Sequence, residues 1–260
     1  MKSAFVTGAS SGLGRALSKR LVADGYVVGA VARRGDRLKA LASECPAGTV
    51  LDYAVDVTDQ QAMLSAIRDF TSRTRRIDLV VANAAIPDYI WHGEDEPEMW
   101  TRLIAVNVNG VINTVLPFLP LMRQQTSGHL VAIGSLASLR PMPHGPYPAS
   151  KVAVEYLMYG LGMDLARYGI HTSTVMPGFV DTEVLPKDRR YPFLQSTEQG
   201  VDQVISAIRR RKKRHIFPWQ WRLLAPFMRL LPDFMIQKAL DQAHGTKPDD
   251  PSGPVRTRSR

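Results

Sequence analysis

Between residues 3 and 178 a short run rich in Val, Ile and Ala gives way to a longer amphipathic stretch, and the alternation recurs six times. The expected strands are 3–8 (SAFVTG), 26–33 (YVVGAVAR), 49–57 (TVLDYAVDV), 77–85 (IDLVVANAA), 129–135 (HLVAIGS) and 170–178 (IHTSTVMPG). Helices are expected at 12–24, 35–44, 59–73, 97–124 and 146–169. The apolar runs do not alternate strictly with polar residues, which marks strands covered on both faces. Strands separated by helices pair in parallel through crossovers, so the pattern predicts an α/β fold: an open, doubly wound parallel sheet flanked by helices.

The 260 residues suffice for one undivided core. The single cysteine, Cys45, excludes an internal disulfide framework and fits a reducing compartment. The first apolar run leads into a glycine turn, not a cleavage site, and no uninterrupted apolar run is long enough to span a bilayer. A cytoplasmic protein is the expectation. After residue 178 the pattern loosens: 179–199 reads as a loop over the site, followed by a helix near 198–210. The net charge of +9 is unevenly placed: residues 1–208 carry 20 Lys/Arg against 20 Asp/Glu, while 209–260 carry 13 against 4. The chain is therefore divided into a main domain (1–208), a basic and aromatic amphipathic segment (209–244) and a Gly/Pro/Arg-rich tail expected to be disordered (245–260).

The first strand runs into TGASSGLG, with Gly8, Gly12 and Gly14 spaced by four and then two. Gly8 permits a sharp turn at the strand end. Gly12 and Gly14 let backbone approach a ligand, and the following helix start attracts a pyrophosphate. The stretch is a dinucleotide loop or an ordinary glycine-rich turn; no Gly-Lys-Ser/Thr follows, so it is not a P-loop. The second strand ends in Arg33-Arg34, where an NAD site usually places a carboxylate. Guanidinium groups suit a 2′-phosphate and so favour NADP(H) over NAD(H), unless both are mere surface charge. Tyr147 and Lys151 are four apart at a helix start, on one face, with Pro148 tolerated in the first turn. A neighbouring ammonium favours ionisation of a phenol, which equips Tyr147 for acid–base work; the same spacing also occurs in plain surface pairs.

Taken together, TGASSGLG, Asp56 in DVT, Asn83-Ala84-Ala85, NVNG at 107–110, Ser135, YPASK and PGFVDT at 177–182 resemble the short-chain dehydrogenase/reductase family in its compact, single-domain, Rossmann-like form, over about residues 2–205. The resemblance implies a catalytic set of Asn107, Ser135, Tyr147 and Lys151. Tyr147 is then the general acid, Ser135 hydrogen-bonds the reacting oxygen, and Lys151 holds the nicotinamide ribose. Asn107 kinks the long helix and holds a water. Ser138 is a rival hydroxyl to Ser135, placed second. The resemblance further implies cofactor contacts at Gly8, Ser10, Gly12, Leu13, Gly14, Arg33, Arg34, Asp56, Val57, Asn83, Ala84, Ala85, Tyr147, Lys151, Pro177, Gly178, Val180 and Thr182. Thr7 contributes structure, and Asn83 braces the sheet behind the loop or serves as a satisfied structural amide. The family's usual N-A-G is N-A-A here, and its Gly-rich C-terminal strand is replaced by the basic segment, which bears on the expected homo-oligomer.

The implied activity is NADP(H)-dependent interconversion of a carbonyl and a secondary alcohol, on a hydrophobic small molecule. A nucleotide-binding sensor or docking protein on the same fold is the alternative, and a sugar-nucleotide epimerase is disfavoured for want of a substrate domain. The segment at 209–240 combines RRRKKR with Trp219, Trp221, Phe227 and Phe234. It fits an anionic membrane interface, or else it packs on the core or lines the substrate pocket. Nucleic acid is disfavoured because no wider basic face accompanies the run. The six histidines show no metal-ligand spacing, and no metal is expected.

Overall fold

The computed structural model describes residues 1–87, 97–140, 146–187 and 190–228. Strands β1 (Lys2–Thr7), β2 (Tyr26–Ala32), β3 (Val50–Ala54), β4 (Leu79–Ala82), β5 (Gly128–Ile133), β6 (Ile170–Pro177) and β7 (Arg214–Phe217) form one sheet in the order β3-β2-β1-β4-β5-β6-β7. Every pairing is parallel. The order reverses between β1 and β4, which opens a crevice at their carboxyl ends.

The helices alternate with the strands as the apolar pattern requires. On one face lie α1 (Gly12–Ala23), α2 (Gly35–Ser43) and α8 (Thr197–Arg209), whose Leu17, Leu38 and Val204 pack on Val6, Val28 and Val131. On the other lie α3 (Gln60–Thr74), the series α4 (Pro97–Ile104), α5 (Gly110–Val115) and α6 (Leu119–Gln125), and α7 (Pro146–Leu165), packed on Phe5, Val80 and Leu130. Successive residues of β1 (Ala4, Phe5, Val6) thus serve opposite faces, both dry, which is why the strands carry no polar alternation. The stretch Pro97–Gln125 has the length and hydropathy of a membrane span, yet half of its most apolar window is buried inside the fold.

The helix expected at 97–124 spans Pro97–Gln125, and a π-helical turn, Ala105–Asn109, interrupts it at Asn107. One expectation needs correction. The boundary at 208 falls inside the sheet's sequence span, because α8 leads into a seventh strand. Residues Thr174 to Pro177 of β6 pair with Arg214 to Phe217, and His215, Ile216 and Phe217 are buried. Four residues beside a charge run give no periodicity to read, and it is the open edge of β6 that makes them a strand. After β7 comes α9 (Trp219–Met228). The remainder of the amphipathic segment (229–244) and the tail (245–260) lie outside the described residues.

Candidate active site

The glycine loop sits between β1 and α1 at the crevice. Gly8 has φ +71°, and a Cβ there would fall 2.6 Å from the Asn83 amide nitrogen. Gly14 has no room for a Cβ beside the Gly8 carbonyl. Asn83 explains this crowding: its Nδ2 donates to the Thr7 carbonyl at 2.9 Å, and its backbone N–H donates to Thr7 Oγ1 at 3.1 Å. The Ala84 N–H also donates to Thr7 Oγ1, at 3.3 Å. Asn83 and Ala84 therefore tie β4 to the end of β1 and set the loop's shape. Ala85 is exposed and has no positive φ, so its Cβ is accepted without strain where glycine is usual. Ser11 does not cap α1 with its side chain, and no acidic residue lies in the first turn, so the positive helix end faces the crevice uncompensated. Leu13 turns its side chain toward Gly200 of α8, so what it offers the crevice is backbone.

The two arginines after β2 part company. Arg34 donates through Nε and Nη2 to Ser10 Oγ at 3.2 and 3.0 Å, and through Nη2 to Ser11 Oγ at 2.6 Å. Its guanidinium lies across the glycine loop. Arg33 instead stands 3.9 Å from Asp56, with most of its side chain in water. Asp56 Oδ1 accepts from the Thr58 N–H and hydroxyl at 3.0 and 2.9 Å. Val57 is buried, its methyl groups close against Gly110. At the mouth, Glu183 accepts a 2.6 Å hydrogen bond from Arg37. That bond and the nearby guanidinium groups hold its carboxyl below the usual range. Neither residue stood out in the sequence, because Glu183 lies in an aperiodic stretch.

Lys151, on α7, is 3% exposed. Its Nζ donates to the Ile133 carbonyl at 3.0 Å and lies 5.6 Å from the centre of the Tyr147 ring. Burial alone pushes its ammonium down to about 8. Tyr147 is half-buried one turn earlier. Asn107 stands in the π turn, fully buried. Its Oδ1 accepts from the Ile86 N–H at 2.7 Å, and its Nδ2 donates to the Ile86 carbonyl and to Ser150 Oγ at 3.0 and 3.1 Å. Ser150 in turn donates to the Tyr147 carbonyl at 2.7 Å. The extra residue of the π turn thus aims an amide at both the chain after β4 and the first turn of α7.

Ser135 and Ser138 are separated by their hydrogen bonds. Ser138 Oγ lies within reach of the Ser135 carbonyl at 3.0 Å and of Glu155 Oε2 at 2.7 Å. Glu155 Oε1 also meets Arg214 at 2.7 Å. Ser135 Oγ accepts from the Ala137 N–H at 3.1 Å, so its hydrogen is still there to donate.

The far wall is formed after β6. The Gly178 N–H donates to the Phe217 carbonyl at 2.8 Å, which anchors Pro177-Gly178 to β7. Val180 is buried and bridges to Gln195, and Thr182 stands against Gly12 of the glycine loop. The Trp221 indole of α9 packs directly on Gly178, beside Leu136. Its ring centre is 5.6 Å from that of Phe193 and 6.4 Å from that of Phe179. The indole N–H is buried and has no acceptor among the described residues. The C-terminal segment therefore packs, through Trp221, on the residues that follow β6 and β5.

The family model for short chain dehydrogenases matches residues 2–191. The chain belongs to that family. An uncharacterized oxidoreductase of Myxococcus xanthus is 35% identical over 242 residues, covering 92% of this chain and 96% of that one. Among solved structures, a 3-ketoacyl-ACP reductase from Sinorhizobium meliloti superposes with TM-score 0.72 at 26% identity, covering 83% of this chain and 96% of that one. An alcohol dehydrogenase from Thermococcus sibiricus, complexed with 5-hydroxy-NADP, gives 0.73 at 25% identity, covering 84% and 96%. This short-chain dehydrogenase is an oxidoreductase on a Rossmann-type nucleotide-binding fold, and the fold implies an NAD(P)(H) cofactor.

Proposed function

We propose that this short-chain dehydrogenase interconverts a carbonyl and a secondary alcohol with NADP(H), on an apolar small molecule, with Tyr147 as the general acid and base. The observation that carries the reading is Lys151: an ammonium almost without solvent, held by one backbone carbonyl at the ring of Tyr147, its depression owed to burial alone. A buried cation without a carboxylate costs stability and is typical of a functional position.

The residues fit a dinucleotide. Gly8 and Gly14 have no space for a Cβ, the α1 N-terminus is uncompensated, and Arg34 lies over Ser10 and Ser11 where a 2′-phosphate would add a charge-assisted bond. Arg33 reinforces the positive field from beside Asp56. Pro177, Gly178, Val180 and Thr182 would border the nicotinamide, which when bound supplies or accepts the hydride. In reduction Tyr147 gives its proton to the carbonyl oxygen while the Ser135 hydroxyl donates to the same atom as charge develops there. The Lys151 ammonium favours the phenolate left behind. Asn107 positions Tyr147 through Ser150. Phe179, Phe193 and Trp221 would line an apolar pocket. The similarity to a ketoacyl reductase and an alcohol dehydrogenase supports this chemistry. A homo-oligomer has its own support: Tyr156, Tyr159 and Met163 leave an apolar stripe on α7 exposed, each by more than 60%.

The test is NADPH oxidation against aldehydes and ketones of graded chain length, for wild type and Tyr147→Phe. Wild-type turnover that rises with chain length, lost in the variant while NADPH binding stays, supports the reading. Turnover retained by Tyr147→Phe removes the tyrosine from its role.

A further inference from the structure

The run RRRKKR looks like one patch in the sequence, but the fold disperses it. Arg209 ends α8 and pairs with Asp24 at 2.9 Å. Arg211, at φ +49°, turns back toward His171, 2.8 Å away, and Arg214 opens β7 and meets Glu155 at 2.7 Å. Among the described residues, Arg210, Lys212 and Lys213 make no ion pair, and neither does Arg222 of α9. Arg210, Lys212 and Arg222 converge on a cleft of about 300 Å³ between α8, β7 and the start of α9. Its walls include the Gln195 and Gln203 amides and the Trp219 ring, with no carboxylate. Burial and the three cations together hold His215, at the cleft floor, down to about 4, so the imidazole is neutral and the positive field comes from the three long side chains.

An apolar ridge adjoins the cleft. On α9, Trp221 and Ala225 face inward, which puts Trp219, Leu223 and Phe227 on the opposite side at successive four-residue steps. They are 61%, 57% and 66% exposed, and Leu224 beside them is 42% exposed. Trp219 belongs to both features, forming one wall of the cleft and one end of the ridge.

We propose that this corner of β7 and α9 docks on an anionic phospholipid surface, with lipid phosphates in the Arg210–Lys212–Arg222 cleft and the Trp219–Leu223–Phe227 ridge among the headgroups. The charge rules out the nearest rival occupant. A second copy meeting this face across a two-fold axis would bring the same three unpaired cations together. A nucleic-acid duplex would leave the ridge in water, since its outer phosphate backbone gives apolar side chains nothing to enter, and a single strand would stack on Trp219 and Phe227 but leave Leu223 and Leu224 without apolar partners. A membrane interface uses both features, the cations meeting phosphate and the aromatic and leucine side chains entering the boundary. The inference does not depend on the proposed reaction.

The experiment is partition of the full chain, at low salt, onto vesicles of equal parts phosphatidylcholine and phosphatidylglycerol, and onto phosphatidylcholine alone. Arg210→Gln/Arg222→Gln removes two cations that the fold does not use. At roughly 1 kcal/mol per basic residue near an anionic membrane, partition should fall about thirty-fold. Trp219→Ser/Phe227→Ser, with every charge intact, should lower it about tenfold or more. Both variants should keep the wild-type melting temperature, and added salt should release the wild type. Equal partition onto neutral vesicles, no partition onto anionic ones, or undiminished partition of the Arg210/Arg222 variant overturns the proposal. So does a melting temperature raised by inorganic phosphate in an Arg210-dependent way without vesicle binding, which would identify a site for a free anion.

Discussion

Replacing Lys151 by methionine should make the ligand-free protein more stable while destroying its activity. The side chains match closely in volume, so packing changes little. The ammonium, 3% exposed, titrates near 8 instead of the usual 10.5. A depression of that size corresponds to about 3 kcal/mol held against the charged form. The folded state binds its proton less tightly than the unfolded chain, so the cost is fully present below about pH 8 and is relieved as pH rises from there toward 10.5. Methionine removes the charge but abandons the bond to the Ile133 carbonyl, a loss of about 1 kcal/mol. The net gain at pH 7 is about 2 kcal/mol, or roughly 4–8 °C in melting temperature for a chain of this size. The assay is thermal or urea unfolding of both proteins from pH 7 to 10. The advantage of Lys151→Met should shrink steadily through the upper half of that range. Saturating NADPH should narrow it at pH 7, because ribose hydroxyls would give the ammonium partners that methionine cannot use. A variant less stable than wild type at pH 7, or a difference that does not change with pH, would refute the reasoning.

Two further outcomes follow from the site. Arg34→Ala should raise KM for NADPH about ten- to a hundredfold, the scale of a charge-assisted bond, and leave NADH nearly unchanged; Arg33→Ala should do less. Steady-state kinetics with both cofactors check this, and equal losses for the two would place 2′-phosphate recognition elsewhere. Trp221→Ala should lower kcat/KM for long-chain carbonyls about tenfold, through lost apolar contact, while short ones change little. A uniform loss across chain lengths would make the indole a packing residue only.

Much of this was legible because the signals are local. Six strands and their helices follow from periodicity that any segment carries by itself, and the crevice follows from their alternation. The glycine spacing needs only that Cβ atoms be absent, and Tyr147 and Lys151 share a face because helices repeat every 3.6 residues. What stayed hidden depends on partners distant in the chain. The strand β7 is four residues long and owes its pairing to the open edge of β6. The choice between Arg33 and Arg34 rests on where Ser10, Ser11 and Asp56 lie in space. The sequence ranks Ser135 above Ser138, but the contact that occupies Ser138, with Glu155 reached from α7, is visible only in the fold.

The sequence alone therefore determined the architecture, the position of the nucleotide crevice and the placing of Tyr147 and Lys151 on one helix face, since backbone periodicity and side-chain spacing fix these within a few residues. Tertiary structure alone decided the assignments made across the chain. It placed Trp221 on Gly178 at the pocket wall and sent the six consecutive charges in different directions. It also left an apolar ridge beside cations that no carboxylate neutralises among the described residues. Such contacts depend on which surfaces the fold brings within a few ångströms, and no short stretch of sequence contains both sides of them.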